Sequence, residues 1–212
     1  MRAIALLSGG LDSVVSMLLA KEQADIILAL TIDYGQKARN NEILSAQAFC
    51  SHYGIEHKVI KLPFMQEMES GIIENSQREE TSPWVPNRNG LIINLAACYA
   101  ENLEADWVIC GFNREEGVDF PDNTREFVEA ITHSLSYSTL NRVEVKSLVL
   151  NMDKIEIVRT AMALGLNWGW IWSCYRSGPK PCGECPSCIR NREAYEKVGI
   201  KYDQDFMAGR SS

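Results

Sequence analysis

Two stretches of this chain combine residue types and spacings that can do chemistry. The first is Ser8-Gly9-Gly10-Leu11-Asp12-Ser13, which follows the aliphatic run Arg2–Leu7 and precedes helical periodicity from Val14 to Lys21. The aliphatic run reads as a short buried parallel strand. The glycines let the backbone bend and present successive N–H groups to an anion, and the N-terminus of the following helix adds its positive dipole end. No lysine stands where the loop Gly-x-x-x-x-Gly-Lys-Ser/Thr needs one, and Gly-x-Gly-x-x-Gly is absent as well. The segment therefore reads as a nucleotide-phosphate cradle of another type; an ordinary strand–turn–helix is the plainer alternative.

The second stretch is Cys174-x7-Cys182-x2-Cys185-x2-Cys188, four thiolates within fifteen residues. Four soft ligands at this spacing suit a closed tetrahedral Zn²⁺ site, with Gly183 and Pro186 fitting the tight knuckle. An iron–sulfur cluster is the rival reading, although ferredoxin-type runs carry their fourth cysteine after the trio rather than before it. With every position filled by protein, such a metal is structural. Cys50, Cys98 and Cys110 stand singly among apolar residues and read as small core residues. His52, His57 and His133 are scattered and suggest no catalytic role.

These groups need a scaffold to position them. Asp25–Asp33 reads as a second buried strand ending in the polar run Asp33-Tyr34-Gly35-Gln36. A helix is expected over Arg39–Tyr53, with Ile43, Ala46, Ala48 and Phe49 inward and Gly54 as its stop. His57–Leu62 reads as a strand, and Pro63–Asn87 as an irregular segment suited to a mobile loop or lid. A helix near Leu91–Leu103, a strand Trp107–Cys110 and a polar loop Gly111–Asp122 follow. Next come a helix near Thr124–Tyr137, a strand near Val143–Leu148, and a helix capped by Asp153 with Glu156 in the capping-box position and Gly165 closing it. Alternating strand and helix imply an α/β fold with a doubly wound, mostly parallel sheet covered on both faces. Residues 1–165 are expected to form this domain and 166–212 a small C-terminal zinc-binding region. Ligands in such sheets bind beyond the carboxyl ends of the strands, where Ser8–Ser13, Asp33–Gln36 and Gly111–Asp122 all fall.

The 212-residue chain is 46% hydrophobic, enough to bury a full core as one domain with a small appendage. A formal net charge of −7 speaks against a nucleic acid as the main partner. No apolar run approaches membrane-spanning length, and the N-terminus reads as a strand rather than a signal peptide. With cysteines crowded as if for metal, the cytoplasm is the expected location.

Taken together, the motifs resemble the QueC/ExsB family of 7-cyano-7-deazaguanine synthases, within the PP-loop ATP pyrophosphatases of adenine-nucleotide alpha-hydrolase-like fold. The resemblance rests on Ser8–Ser13, Asp33-Tyr34-Gly35-Gln36, Val85-Pro86-Asn87-Arg88-Asn89, Phe120-Pro121-Asp122, Asp153-Lys154, and Trp172-Ser173-Cys174-Tyr175 leading into Cys182-Gly183-Glu184-Cys185. Two positions depart from the family pattern. Asn87 stands where many members have glycine, and asparagine tolerates the left-handed conformation that glycine serves. Phe120 stands where bacterial members often have tyrosine.

The resemblance implies an ATP-dependent carbon–nitrogen ligase that converts 7-carboxy-7-deazaguanine and ammonia to the nitrile through adenylated carboxylate and amide, on the route to queuosine-type nucleosides. It implies that Leu7, Ser8, Gly9, Gly10, Leu11, Asp12, Ser13 and Asp33 hold ATP. Asp12 would position Mg²⁺, and Lys154, with Asp12 and Ser13, would serve the transferred phosphate. Arg88, Asn113, Glu116, Phe120 and Asp122 would contact the substrate, Glu116 and Asp122 reading the guanine-like N–H edge beside a Phe120 wall. Cys174, Cys182, Cys185 and Cys188 would hold structural Zn²⁺. Trp168, Trp170 and Trp172 could stack on a base but, next to a cysteine knuckle, read rather as packing or a dimer interface, and a homodimer is expected. Three other readings stay open: a tRNA thiolase with the same ATP loop, an adenylating enzyme joining the carboxylate to another amine such as a protein N-terminus, and a zinc-stabilised nucleotide-binding regulator.

Overall fold

The computed structural model describes residues 1–79 and 83–201. Residues 80–82 of the expected lid and residues 202–212 of the expected zinc-binding region lie outside the described residues. Five parallel strands form one sheet in the order β3-β2-β1-β4-β5. They are β1 (Arg2–Leu6), β2 (Asp25–Asp33), β3 (His57–Lys61), β4 (Trp107–Ile109) and β5 (Glu144–Lys146). The helices are α1 (Leu11–Lys21), α2 (Arg39–Tyr53), α3 (Arg88–Asn102), α4 (Glu116–Asp119), α5 (Arg125–Ser138), α6 (Lys154–Ala163) and α7 (Pro186–Lys197).

Strand periodicity divides the core. Ala3 and Ala5 of β1 face one layer and Ile4 faces the other, as a pleat of period two requires. A register shift between Ala3 and Ile4 opposite Ile26 and Leu28 gives β2 one extra residue. Its alternation changes phase there: Ile26 packs with Ala3, while Leu28, Leu30 and Ile32 pack with Ile4. One face is covered by α1, α2, α6 and α7, and the other by α3 and α5. Tyr195 of α7 is buried in the same cluster as α1 and α6, so the C-terminal helix shares the main core.

The short strands and the helix ends account for most boundary differences. The capping box of Asp153 and Glu156 forms on both sides, and Gly54 closes α2 at φ 66°. The irregular run before α3 ends where Asn87 takes the left-handed conformation at φ 52°, so the helix begins at Arg88 rather than Leu91. Within α2 the inward residues are Ser45, Ala46, Phe49 and Cys50; Ile43 and Ala48 are only half-buried. Cys98 is exposed on α3 and is no core residue, whereas Cys50 and Cys110 are buried. The expected polar loop Gly111–Asp122 contains the short helix α4. The segment after β3 holds a 3₁₀ turn at Pro63–Glu67 and a bridge from Ile73 to Gln36. Trp172 is buried, Trp170 meets Phe49 edge-on and Trp168 meets Tyr195. No helix among the described residues is long and apolar enough to cross a membrane.

Candidate functional site

The strand order reverses at β1, whose neighbours are β2 on one side and β4 on the other. A cleft opens there beyond the carboxyl ends of the strands. Its volume is about 290 Å³. The Ser8–Ser13 loop forms its floor, and two close approaches require glycine. Gly9 has φ +74°, and a Cβ there would lie 2.4 Å from Ser45 Cβ of α2. A Cβ on Gly111 would lie 2.6 Å from Ser13 N, so the chain leaving β4 passes directly against the first turn of α1. Ser13 Oγ donates to the Gly10 carbonyl at 3.0 Å and shares a 3.1 Å hydrogen bond with Ser8 Oγ. From the C-terminal segment, Trp172 N donates to the Gly9 carbonyl at 3.0 Å, and Ser173 Oγ accepts from Leu11 N at 3.3 Å. The loop is thus braced from both ends of the chain.

Lys154 is the first residue of α6, where a cation opposes the helix dipole. Its compensation comes from the neighbouring helix α1 on the same face of the sheet: Nζ donates to Asp12 Oδ1 at 2.7 Å and Oδ2 at 2.5 Å. The lysine is buried at 4% exposure and reaches the cleft through Asp12, which lines it. Beside this pair, Glu116 of α4 accepts from Arg190 of α7 at 3.2 Å. Burial raises the Glu116 carboxyl above its ordinary range and Asp12 adds to this, while Lys154, Arg190 and Arg88 pull the other way.

The opposite wall is built by the start of α3 and the chain around Phe120. Arg88 donates from NH1 to Tyr34 Oη at 3.2 Å and from Nε to Asn89 Oδ1 at 3.2 Å. Asp122 accepts from Asn123 Nδ2 at 2.9 Å, and burial raises its carboxyl against the pull of Arg88. Trp84 and Phe120 lie nearly parallel, 11° apart with centroids at 6.2 Å, and both line the cleft.

Of the residues singled out from the sequence, Leu7, Ser8, Gly10, Asp12, Ser13, Arg88, Glu116, Phe120 and Asp122 line this one cleft. Gly9 and Leu11 support it from behind. Asp33 does not line it: Oδ1 accepts from Gly35 N at 3.1 Å and shapes the turn after β2. Asn113 is fully buried outside the lining, and its Oδ1 accepts from Glu116 N at 3.0 Å, fixing the start of α4. Glu42, Arg190 and Trp84 were not singled out, and Ser173 entered only within the Trp172–Tyr175 motif. Glu42 sits six residues beyond Gln36, and Arg190 follows Cys188 by two, so both flank recognised motifs.

Cys174, Cys182, Cys185 and Cys188 bring their sulfurs within 4.8 Å of one another. Cys182 N donates to Cys174 Sγ and Cys185 N to Cys182 Sγ, both at 3.3 Å, as backbone amides do around thiolates that share one ion. A group this tight fits a single metal ion; a cubane would spread its thiolates over four irons. Burial pushes the Cys50 thiol up to about 11 and the Cys110 thiol to about 12, so neither is poised as a nucleophile.

Fold and cleft define an α/β protein of the PP-loop, adenine-nucleotide alpha-hydrolase-like class with an appended four-cysteine knuckle that could hold a metal ion. Among solved structures, a U34-tRNA thiolase NcsA from Methanococcus maripaludis with its [4Fe-4S] cluster is 18% identical, with a TM-score of 0.53 over 99% of this chain and 69% of that one. An NMN synthetase from Francisella tularensis is 15% identical, with a TM-score of 0.52 over 99% and 81%. These likenesses establish the fold alone. Residues 2–199 match the family described as queuosine biosynthesis protein QueC. A 7-cyano-7-deazaguanine synthase from Desulforudis audaxviator is 45% identical over 94% of this chain and 98% of its own length. Another from Carboxydothermus hydrogenoformans is 46% identical over 91% and 97%. The chain belongs to the QueC family.

Proposed function

We propose that the protein is an ATP-dependent 7-cyano-7-deazaguanine synthase, which turns 7-carboxy-7-deazaguanine and ammonia into the nitrile. Family membership supports the reaction, and one observation carries the assignment of residues. The phosphate loop, the Lys154–Asp12 pair and a wall bearing Arg88, Asp122 and Phe120 meet in a single cleft. A carboxylate oxygen is a poor leaving group, so it first attacks the α-phosphorus of ATP; the α–β phosphoanhydride bond breaks and pyrophosphate leaves. Ammonia then attacks the activated carbon, and AMP departs with the C–O bonding pair, leaving the amide. The amide oxygen repeats the attack on a second ATP, and loss of AMP with the nitrogen's protons leaves the triple bond.

The protein's task is alignment and charge neutralisation at the α-phosphate, with no covalent nucleophile required. Ser8, Gly10, Ser13 and the N-terminus of α1 cradle the phosphates, while Leu7, Gly9, Leu11 and Asp33 fix the backbone around them. A phosphate in the cradle competes with Asp12 for the Lys154 ammonium, freeing carboxylate oxygens that suit a hard cation such as Mg²⁺. At the other end Asp122 and Glu116 accept from the guanine-like N–H edge, Arg88 faces the substrate's anionic groups and Phe120 supplies an apolar wall. Asn113 acts through Glu116, whose helix it fixes. The cysteine knuckle suits Zn²⁺ as a structural ion, and the reading assigns it to a C-terminal region beyond residue 165. A homodimer working in the cytoplasm, with no nucleic-acid partner, completes it. Mass spectrometry of products from ATP, ammonium and 7-carboxy-7-deazaguanine tests the assignment. The nitrile is expected; an amide or a peptide conjugate as sole end product would overturn it.

A further inference from the structure

Four acidic residues line the cleft among the described residues: Asp12, Glu42, Glu116 and Asp122. Both oxygens of Asp12 meet Lys154, Glu116 meets Arg190, and Asp122 lies at the base-binding wall held by Asn123. Glu42 has no place in the reaction described so far. It projects from the first turn of α2, and among the described residues its carboxylate has one hydrogen bond, from a neutral amide, Gln36 Nε2 to Oε2 at 2.7 Å.

That amide cannot turn over. Gln36 Oε1 accepts from Tyr34 N at 2.9 Å and Nε2 also donates to the Ile32 carbonyl at 2.8 Å, so the NH₂ side must face Glu42. The second carboxylate oxygen, Oε1, has no hydrogen-bond partner among the described residues. Charged and titratable groups around Glu42 are Arg88 from α3, Asp33 at the end of β2 and Tyr34 in the turn. Arg88 spends its hydrogen bonds on Tyr34 and Asn89. Glu42 is half-buried and lines the cleft, so Oε1 is open to a small cation that donates hydrogen bonds. Ammonium is such a cation, and it is the protonated form of the nucleophile.

We propose that Glu42 is the base of the nitrogen-transfer half of the reaction, receiving ammonium in the cleft and removing its proton. This rests on the reading given under Proposed function. Ammonium gives one proton to the Glu42 carboxylate, and the resulting ammonia uses its lone pair to form the C–N bond. AMP leaves with the C–O electron pair, and the new amide sheds its surplus proton to water while Glu42 returns its own. In the second cycle the adenylated amide loses its two N–H protons, the first to Glu42 and the second to water. The nitrogen pairs complete the triple bond as AMP leaves. Burial supports this role by raising the Glu42 carboxyl to about 7, above the opposing effects of Gln36 and Arg88 and with repulsion from Asp33. A base poised near the working pH transfers protons most effectively.

The test compares wild type with Glu42→Gln. Carboxylate-dependent exchange of pyrophosphate into ATP reports adenylation, amide formation from ammonium reports nitrogen transfer, and hydroxamate formation from hydroxylamine reports attack by an amine already neutral near pH 7. Glu42→Gln is expected to keep exchange and hydroxamate formation within about threefold of wild type and to lose amide formation from ammonium about 100-fold at pH 7. At fixed total ammonium its rate should climb about tenfold per pH unit with free ammonia, whereas wild type levels off once Glu42 is ionised. Amide formation equal to wild type at pH 7 would overturn the proposal. So would parallel loss of all three activities, which makes Glu42 a structural or ATP-binding residue. Absence of carboxylate-dependent exchange in wild type would instead sink the parent reading. For a fold-independent check, the wild-type rate at fixed total ammonium should fall about tenfold per unit below pH about 7 and level off above it. A rate that instead tracks free ammonia, climbing well above pH 7 without levelling, also contradicts the role.

Discussion

The phosphate loop and the cysteine knuckle hold polar groups in place by opposite means. The loop is suspended between β1 and α1, whose inward residues are buried in the core, and its shape follows from sheet and helix geometry. The knuckle has a small core of its own: among the described residues Cys174, Cys185 and Cys188 cluster with Ala38 and Trp172, with Tyr175 and Cys182 packed against them. A segment with so little apolar surface to bury needs another source of order, and four converging cysteines could supply it by sharing a metal ion. The two regions are nevertheless joined. Trp172 and Ser173 bond the loop backbone, and Arg190 carries the helix after the knuckle to Glu116. The loop thus takes its shape from sheet and helix with bracing from the segment leading into the knuckle, while the knuckle helix touches the far side of the cleft through Arg190 and Glu116.

Substitutions can break this contrast, beginning with the largest effect. Lys154→Met removes the cation nearest the phosphate cradle and should lower kcat by about 10²–10³-fold, equivalent to roughly 3–4 kcal/mol of transition-state stabilisation, with circular dichroism unchanged. Near-normal turnover, or ADP as the primary product, would contradict the role of the loop end. Cys185→Ser should act on stability instead: bound metal falls below one ion per chain and Tm drops by about 5–10 °C, with activity lost only in step with folded protein. Metal analysis of the wild type should give one Zn²⁺ per chain, and a broad visible iron–sulfur band in anaerobically purified protein would exclude zinc.

Two further changes sharpen the contrast within the cleft. Asp122→Asn and Glu116→Gln should each raise the KM for 7-carboxy-7-deazaguanine by about 10–100-fold while leaving ATP binding nearly unchanged, since a charged hydrogen bond contributes roughly 1.5–3 kcal/mol. Unchanged substrate binding in both would remove this wall as the reader of the base. Arg190→Ala should have the smallest effect, a fall in kcat/KM of about three- to tenfold with metal content intact. If metal is lost with the arginine, the link between knuckle and cleft is structural rather than a positioning contact.

Much of the scaffold was legible because it is built from local rules. Strand β2 and helix α2 have the boundaries their hydrophobic runs and Gly54 predict, and the Asp153–Glu156 capping box is visible as a spacing. The motif residues of the loop, Arg88, Phe120 and Asp122 could be gathered because α/β sheets bring strand ends to one side. What escaped reading depends on contacts distant in sequence. Lys154 and Asp12 are 142 positions apart, Arg190 and Glu116 are 74 apart, and no periodicity announces either pair. Glu42 escaped because a glutamate in a first helical turn reads as an ordinary dipole partner. Its burial is set by Gln36, Arg88 and the packing of α2 on the sheet. Cys98 misled for a related reason: an apolar neighbourhood in sequence does not say which side of a helix faces out.

The central claim is that one cleft activates the same carbon twice through AMP transfer. The most direct measurement counts AMP released per nitrile formed, with isotope-labelled ammonium and 7-carboxy-7-deazaguanine under single-product conditions. The account predicts two AMP and no ADP for each labelled nitrile, with amide appearing first and then disappearing. One AMP per final product, or phosphate release as ADP, would contradict it.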